Sequence, residues 1–397
     1  MKKSTLYITY DGLTDPLGKA QIIPYLISIA KHPRKLTVLS FEKKKLSSQI
    51  DETKKNLKNY NIDWVHLNFS HNLGIISKII DFIKLLFFSF FLIIKYNIKI
   101  VHGRGALPTF FGYLIKKIFN IKLLFDCRGM WVNERADNNQ WKLNNWFYVK
   151  IFKIFKNIEN KLFLNSDAII VLTNNIHNHL TSLYNIKDKT FIIPCCVDYE
   201  QFKNDNSINN LQILKKEFNI DEHQYIFYYS GSLGGIYQLD EMLNLFKYIC
   251  KTFKNSYFIF FTPNLDILSK KLKNNKYENI KKNIRFKNVD RSLLPKFISL
   301  CDIMIYFIKP TFSKKASSPT KLGESLSLGV PVVTNKGIGD IESLFENINP
   351  GFLFDKIDQD NFDLFLKKIP LIKKLKGSQL RNKSKIYFDI NNALASY

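Results

Sequence analysis

The sequence predicts an α/β protein made of two halves, each a parallel sheet flanked by helices. Short β-branched and aromatic runs alternate with longer amphipathic segments along almost the whole chain, an order typical of parallel strands joined by crossover helices. Glycine-rich turns follow several of these runs, where open parallel sheets bind ligands. The length of 397 residues is sufficient for two domains of ordinary size, each with its own core.

The net charge first suggests an anionic partner. The chain carries a formal charge of +25, a balance found in proteins that bind nucleic acid or anionic lipid. Only seven of its 59 basic residues are arginine, however, and nucleic-acid binders prefer arginine for bidentate contacts with bases and phosphates. No zinc-finger, RNA-recognition or helix-turn-helix signature accompanies the charge, so we predict no nucleic-acid partner.

The cysteines and the N-terminus indicate a reducing, cytoplasmic environment. The five cysteines show neither C-x-x-C pairs nor zinc spacing, and their odd number argues against a disulfide framework. The N-terminal MKKSTLYITYDG enters a predicted strand directly, without an apolar region or cleavage site. We therefore predict no signal peptide.

A turn-rich loop follows the first predicted strand, residues 4–10. It contains Gly12, Asp15 and Gly18 and precedes a helix predicted over 20–30. Because ligands bind at the carboxyl ends of parallel strands, these three residues are candidate binding residues; an ordinary surface turn is the alternative. Two further strands are predicted over 35–41 and 63–69.

Two strongly apolar segments have two interpretations. Residues 73–97 contain an uncharged run of ten residues, Leu85–Ile94, too short for the about 20 residues that a membrane-spanning helix needs. We expect a crossover helix on the sheet. Residues 145–160 alternate apolar positions, among them Trp146 and Phe155, with lysines. This helix either faces the core with a solvated lysine side or lies in a membrane interface.

Polar residues cluster where two more strands end. A strand over 98–102 and another ending at Asp126 would present His102, Arg104 and Arg128, together with Asp126, along one edge of the sheet.

Arg128, Glu134 and Arg135 form a charged trio in the same region. The trio could bind hydroxyl or phosphate groups, or it could be a surface ion-pair network. After the next predicted strand, 167–173, His177 and His179 are two residues apart on a helix and point to different faces, so we assign them no metal.

The second half starts its own series of strands. The strand 226–229 runs into Gly231 and Gly234, and the helix that follows over 239–250 has acidic residues in its first turn. Such a loop suits a phosphate group. Further elements of this half are strands over 257–262, 284–288 and 302–308 and a helix over 293–300.

The stretch SSPTKLGESLSLGVPVVTNKGIGDIE, residues 317–342, is the most informative part of the chain. Ser318 and Pro319 predict a helix entry, which places Lys321 and Glu324 three residues apart near the helix N-terminus. A strand is predicted over 330–334. Gly337, Gly339 and Asp340 then open a second helix, whose N–H groups and dipole favour an anion.

The order helix, Gly-x-Pro strand, glycine loop and helix resembles the donor site of family 4 glycosyltransferases. Glu324 lies in ESLSLGVPV, where that family has a glutamate that binds the ribose of a nucleotide sugar. In the first half, YDGLTDPLGKAQIIPYL and FDCRGMWVNER are similar to the first βα loop and to the E-V-R-D-L-W-P segment of the family.

The resemblance implies the GT-B fold, two Rossmann-like domains with a cleft between them. It places an acceptor-binding domain at 1–185, a nucleotide-sugar domain at 186–378, and a terminal helix, 379–397, that crosses back to the first domain.

The resemblance also implies residue roles. For catalysis we expect Lys321, Arg128 and His102. For donor binding we expect Glu324, Ser318, Gly231, Ser232, Gly234, Gly337, Gly339 and Asp340. For acceptor binding we expect Gly12, Asp15, Gly18, Arg104, Glu134 and Arg135.

Three positions of the donor site that are usually charged depart from the family pattern. Ser232 and Tyr237 stand where an arginine and a lysine usually neutralise the diphosphate, and Ala316 replaces a glutamate. Lys321 and the amides of the two glycine loops are therefore our candidates for stabilising the leaving group, with Arg291 a weaker one.

The implied activity is transfer of a sugar from a nucleotide-diphosphate donor to a glycan or lipid-linked oligosaccharide in surface polysaccharide biosynthesis, such as capsule or lipopolysaccharide. By resemblance the reaction retains anomeric configuration and uses neither metal nor cofactor. A nucleotide-sugar 2-epimerase and a catalytically silent glycan-binding scaffold are the alternatives. The lysine-rich helices add a possible peripheral contact with anionic lipid at the inner face of the plasma membrane.

Overall fold

The computed structural model describes residues 4–31, 35–70, 75–203, 207–220 and 223–394. The chain forms two compact units. The first contains Met1–Pro194, Phe312–Ser317 and Ile390–Tyr397, and the second contains Cys195–Thr311 and Ser318–Asp389. The domain limits predicted at 185 and 378 stay predictions; the compact units change at Pro194 and Asp389.

The first unit is built on a parallel sheet of seven strands. Their order is β3-β2-β1-β4-β5-β6-β7, so the sheet is wound in both directions from β1 and β4. The strands are β1 (Ser4–Thr9), β2 (Lys35–Glu42), β3 (Ile62–Asn68), β4 (Ile100–Arg104), β5 (Lys122–Asp126), β6 (Ala168–Val171) and β7 (Thr190–Ile192).

Helices separate these strands in sequence and supply much of the core. They are α1 (Pro16–Gln21), α2 (Ile23–Ala30), α3 (Ile50–Lys58), α4 (Ile75–Tyr96), α5 (Ala106–Lys116), α6 (Trp131–Asp137), α7 (Trp146–Asn165) and α8 (Asn174–Leu183). Buried residues on both faces of the sheet, such as Leu39 and Val38 on neighbouring positions of β2, belong to different apolar clusters. This two-sided burial explains why the strands read as continuous apolar runs.

The second unit repeats the arrangement with six parallel strands. Their order is β10-β9-β8-β11-β12-β13. The strands are β8 (Ile226–Ser230), β9 (Tyr257–Phe261), β10 (Ile284–Lys287), β11 (Ile303–Ile305), β12 (Val332–Asn335) and β13 (Gly351–Phe354). The two parallel α/β sheets confirm the predicted fold class.

The helices of the second unit surround one large apolar core. They are α9 (Ile208–Glu217), α10 (Leu239–Thr252), α11 (Leu265–Leu272), α12 (Glu278–Lys281), α13 (Leu294–Ile298), α14 (Thr320–Ser327), α15 (Ile341–Ile348), α16 (Gln359–Lys374) and α17 (Ser378–Phe388). A last short helix, α18 (Ile390–Leu394), belongs to the first unit, where it contacts α2.

Two predicted helices are interrupted in the structure. The helix predicted over 20–30 begins at Pro16 and is interrupted at Ile22, because Pro24 near the start of α2 has no N–H to continue the ladder. The described part of the predicted terminal helix, 379–397, is also two helices, because Asp389 has extended φ/ψ after α17 and α18 follows. Residues 395–397 of that prediction lie outside the described residues.

Within the apolar segment 73–97, Ile75–Tyr96 form the 22-residue helix α4, and residues 73 and 74 lie outside the described residues. Within the described ranges, no helix is both long enough and apolar enough to cross a membrane.

Candidate active site

Helix α14 carries the two charged residues on which the predicted donor site depends. Leu322 and Leu326 on this helix are buried in the core of the second unit, as their spacing predicted. The predicted cap is wrong: the N-cap residue is Pro319, and no side chain caps the helix. Ser318 instead accepts a hydrogen bond from the backbone N–H of Cys195 at 3.1 Å, because its hydroxyl is turned to the segment that opens the second unit.

Glu324 is held by an arginine that lies 33 residues earlier in the chain. Arg291 donates from Nε and Nη2 to Glu324 Oε1, at 3.0 and 2.8 Å. The Arg291 guanidinium also lies 4.7 Å from the ring centre of Phe202, so both partners are fixed by their surroundings. The carboxylate of Glu324, only 7% exposed, therefore has a defined orientation.

Lys321 lies in an aromatic cage. Its Nζ donates to the Tyr229 hydroxyl at 2.8 Å and is 4.1, 3.6 and 5.9 Å from the ring centres of Tyr229, Tyr237 and Tyr306. The side chain is buried, so Lys321 is not a solvated surface lysine. Burial lowers the pKa of Lys321 well below its usual range, although the nearby Glu324 charge opposes this shift.

The loop after β8 packs directly on this amine. Gly231 has φ of +116°, and a Cβ at this position would lie 3.2 Å from Lys321 Nζ, so only glycine fits here. The Ser232 carbonyl accepts from the Tyr229 hydroxyl, and Leu233 N–H donates to Asn264 Oδ1 at 2.9 Å. The loop that includes Gly234 is thus fixed against Lys321.

The loop after β12 is arranged differently from the prediction. Gly337 N–H donates to Glu342 Oε1 at 2.8 Å, so this amide is already satisfied within the turn. Gly337 and Gly339 both have positive φ, and Asp340 is the N-cap residue of α15 without a side-chain cap bond. Glu342 occupies the Gly337 amide in this arrangement, and the predicted role of Gly337 in donor binding stays a prediction.

The residues predicted to meet at the edge of the first sheet do meet, around Asp126. Arg128 Nε lies 2.8 Å from Asp126 Oδ1, while His102 Nε2 and Arg104 Nη1 are 3.5 and 3.6 Å from Oδ2. Burial works to raise the pKa of Asp126, but the Arg128 charge, His102 and Arg104 hold it well below its usual range. Burial lowers the pKa of His102, which favours the neutral imidazole.

The first βα loop is organised by a buried glutamate that the sequence did not indicate. Glu42, at the end of β2, accepts from Leu13 N–H at 2.7 Å and from the N–H and hydroxyl of Thr14. Gly18 is required in this loop, since a Cβ would overlap the Gly12 carbonyl. Asp15 forms an ion pair with Lys43 at 2.9 Å. These contacts give the Gly12–Gly18 turn a fixed shape.

The charged trio combines parts of both interpretations. Glu134 forms an ion pair with the buried Lys314, while Arg135 donates to Gln140 and lies 5.2 Å from the Trp131 ring centre. Arg128, Glu134 and Arg135 nevertheless all line one cavity of about 680 Å³ in the first unit. Arg104 lines it as well, whereas Gly12, Asp15 and Gly18 are absent from its described lining.

Two contributors to these sites, Glu42 and Tyr229, were missed from the sequence, because both act through contacts with residues distant in sequence. Arg291 was a weaker candidate for stabilising the leaving group, and its contact with Glu324 was not predicted. An acidic residue ending a buried strand, as Glu42 does, was the one available signal. Across the described ranges, no three His, Cys, Asp or Glu side chains are grouped so that they could hold a metal ion.

Comparisons with known proteins identify the family. Two family models match: Glycosyltransferase Family 4 over residues 76–201 and Glycosyl transferases group 1 over residues 211–383. No curated protein matches the sequence.

Solved structures share the fold. Anabaena Alr3699/HepE in complex with UDP-glucose has a TM-score of 0.69 at 15% identity, covering 99% of this chain and 97% of that one. A glycosyltransferase from Rickettsia africae has a TM-score of 0.66 at 17% identity, covering 99% and 96%. The lipopolysaccharide outer core galactosyltransferase WaaB has a TM-score of 0.61 at 10% identity, covering 99% and 97%. Together with the two parallel sheets, the matched models show that the chain is a GT-B glycosyltransferase and belongs to family 4, the group 1 glycosyl transferases.

Proposed function

We propose that this enzyme transfers a sugar from a nucleotide-diphosphate donor to a glycan or lipid-linked oligosaccharide in surface polysaccharide biosynthesis. The observation that carries the proposal is the contact between α14 and the loop after β8. Lys321 touches Gly231 and Tyr229, and Glu324 follows one turn later, fixed by Arg291. A cationic or protonatable group, a phosphate-sized glycine loop and an oriented carboxylate thus occur together in the second unit.

In the proposed reaction, each group has a separate task. Glu324 accepts hydrogen bonds from the donor ribose. Lys321 stabilises the negative charge that develops on the departing nucleoside diphosphate, together with backbone N–H groups of the 231–235 loop other than those of Gly231 and Leu233, which already donate to Phe261 and Asn264. Ser318, Ser232, Gly234, Gly337, Gly339 and Asp340 complete the proposed donor-binding set.

His102 and Arg128 are proposed to act in the first unit. The neutral imidazole favoured by its low pKa can accept a proton, and Arg128, anchored on Asp126, offers a fixed guanidinium to an anionic group. Retention of configuration and independence of metal ions are carried over from the family resemblance as further proposals.

The donor proposed first is UDP-glucose. HepE, which shares the fold across nearly the whole chain, was solved with this nucleotide sugar.

The test is release of nucleoside diphosphate from a panel of nucleotide sugars by the purified enzyme, combined with donor affinity. We expect Glu324→Ala to weaken donor binding by about 1.5–3 kcal/mol, the usual size of a hydrogen bond to a charged group. Glu346→Ala is the matched control, because Glu346 is an exposed carboxylate on α15. Equal donor affinity in the wild type and Glu324→Ala would remove Glu324 from the donor site.

We also propose that the enzyme works in the cytoplasm as a peripheral protein on anionic membrane. Support comes from α4, which exposes Ile79, Ile83, Phe87 and Ile94 on one side, and from lysines on the same helix. At the start of α7, Trp146 is 76% exposed rather than core-facing. Exposed apolar rows beside lysines are typical of interfacial helices.

A further inference from the structure

Two adjoining cavities in the first unit differ sharply in chemistry. The larger, about 680 Å³, is lined by charged and aromatic residues, and the smaller, about 200 Å³, is almost wholly apolar. They adjoin each other and share five lining residues: Phe82, Ala106, Leu107, Trp131 and Phe155. A ligand that fills both must itself have a polar part and an apolar part.

The larger cavity has an excess of positive charge. Its lining includes Lys78, Arg104, Arg128 and Arg135. Arg104 is buried and lies 3.6 Å from Asp126 and 4.0 Å from Asp11, distances longer than a hydrogen bond.

Two acidic residues, Asp11 and Glu134, are among the described lining residues, and they do not balance the four basic ones. Glu134 is already paired with Lys314, which is outside the described lining of the cavity. Several fixed guanidinium groups around one cavity match the geometry and charge of a phosphate or diphosphate.

The smaller cavity is suited to a hydrocarbon chain. Phe110, Val132 and Ile158 complete the wall that the shared residues begin. Phe155 lies 5.5 Å from Trp131 and from Trp141, measured between ring centres. The only charged lining residue is Glu159, and Lys156 Nζ is 2.5 Å from its Oε2, so this carboxylate is already compensated.

The same helix contributes to the cavities and to the exposed apolar side. Lys78, Phe82 and Leu85 of α4 line the larger cavity. Ile79, Ile83 and Phe87, on the other side of the helix, are exposed. A molecule held in a bilayer would therefore contact the exposed apolar side of α4, the helix whose other side lines the larger cavity.

We infer that these two cavities bind a lipid phosphate, with the phosphate or diphosphate among Arg104, Arg128 and Arg135 and the start of its hydrocarbon chain in the smaller cavity. The inference rests on the proposed function for one point, namely that this lipid is the sugar acceptor. A neutral glycan could stack on Trp131 and Trp141, but it would use neither the excess positive charge nor the apolar chamber.

Binding of three probes to the full-length enzyme tests the inference: farnesyl phosphate, farnesol and inorganic phosphate, each titrated below the concentration at which it aggregates. Trp131 and Trp141 line the larger cavity, so tryptophan fluorescence reports occupancy. We expect farnesyl phosphate to bind at least about tenfold more tightly than either of the other probes, because it alone fills both cavities. Binding of inorganic phosphate as tight as that of farnesyl phosphate would overturn the lipid assignment.

Two variants separate the contributions of the two cavities. Ala106→Phe fills the boundary between them and should weaken farnesyl phosphate at least about tenfold with little effect on inorganic phosphate. Arg135→Gln should reduce the advantage of farnesyl phosphate over farnesol. The matched controls are Ser182→Phe and Lys161→Gln, at exposed positions outside both cavities. Melting temperatures of all four variants show whether each one folds.

Failure of this inference is distinguishable from failure of the proposed function. If the enzyme releases nucleoside diphosphate with a neutral oligosaccharide acceptor and farnesyl phosphate does not bind, the lipid site is overturned and glycosyl transfer stands. If farnesyl phosphate binds as expected but does not stimulate nucleoside diphosphate release from any donor, the binding site stands and the acceptor role is overturned.

Discussion

At the scale of single residues, Lys321 is unusual because its neighbours are aromatic rather than acidic. Tyrosine rings stabilise an ammonium group over their faces, while burial acts against the charge. With its pKa lowered, Lys321 binds fewer protons in the folded enzyme than in the unfolded chain. Stability should therefore rise as the pH increases from the lowered pKa towards 10.5.

This balance predicts proton uptake when a diphosphate binds. A diphosphate beside Gly231 would favour the charged form and raise the pKa of Lys321 again. Calorimetry of UDP binding near neutral pH, in buffers of different ionisation enthalpy, should show more proton uptake per bound UDP in the wild type than in Lys321→Met, a difference in which protons of UDP itself cancel. Lys383→Met, at an exposed position of α17, should behave as the wild type.

The same variant should be catalytically impaired. If Lys321 meets the leaving group mainly in the transition state, Lys321→Met lowers kcat by roughly 10² to 10³ while affinity for the intact donor changes little. UDP, which is the leaving group itself, should bind the variant more weakly. Its melting temperature should stay the same or rise, because methionine removes a buried amine. A fully active Lys321→Met would assign the phosphate contact to the glycine loops alone.

The sequence predicted which residues of the second unit belong together, but not their contacts. Lys321 and Glu324 follow from helical spacing and motif resemblance. The tyrosine cage and the Arg291 contact depend on side chains up to 92 residues apart, which no local pattern encodes. Ser318 was misassigned as a cap because its hydroxyl had a competing donor, the Cys195 amide.

At the scale of secondary-structure elements, α4 deviates most from an ordinary crossover helix. One side packs against the apolar cluster through Leu85 and Leu92, while Ile83 and Phe87 on the other side are 60% and 65% exposed. Lys95 lies 5.5 Å from the ring centre of Phe91, close enough for a favourable contact at the polar edge of this row.

This exposed row predicts binding to anionic vesicles. Wild-type enzyme should sediment with phosphatidylglycerol-containing vesicles at low salt, and the double variant Ile83→Ser, Phe87→Ser should bind at least about tenfold more weakly, since it loses apolar area that the interface would bury. The control is Leu371→Ser, Ile386→Ser, which removes two exposed apolar side chains from the second unit. Unchanged sedimentation of the α4 variant would show that another surface makes the contact.

Element positions followed closely from hydrophobic periodicity. The strand predicted over 35–41 is Lys35–Glu42, and the helix predicted over 239–250 is Leu239–Thr252. The predicted helix boundaries were wrong where a proline sets the boundary. Pro24, for example, divides the helix predicted over 20–30 into α1 and α2. The exposed side of α4 could not be predicted, because a helix that is apolar on all sides has the same sequence pattern whether its second side contacts protein, lipid or water.

At the scale of the whole molecule, the charge of +25 acts together with the apolar row. Lysines attract an anionic surface over a Debye length of about 10 Å at 0.1 M salt, and each well-placed one adds about 1 kcal/mol. The parallel sheets themselves were predictable, because alternation of strands and helices leaves few topologies.

Vesicle binding should therefore weaken with salt. Between about 50 mM and about 500 mM salt, we expect affinity for anionic vesicles to fall by at least about tenfold as screening shortens the range of the attraction. Binding to phosphatidylcholine vesicles should be weaker and nearly independent of salt. Equal affinity for both lipids at low salt would mean that the lysines make no contribution.

The segment Phe312–Ser317 affects how chimaeras between two such enzymes must be designed. The chain passes from one compact unit to the other at Pro194, Thr311, Ser317 and Asp389. The middle two passages bring Ser313 and Lys314 to Asp137 and Glu134 of the first unit. A chimaera that exchanges residues 195–389 as one segment would therefore import a foreign 312–317 segment into the first unit. To keep the first unit intact, the exchanged segment must leave these six residues in place.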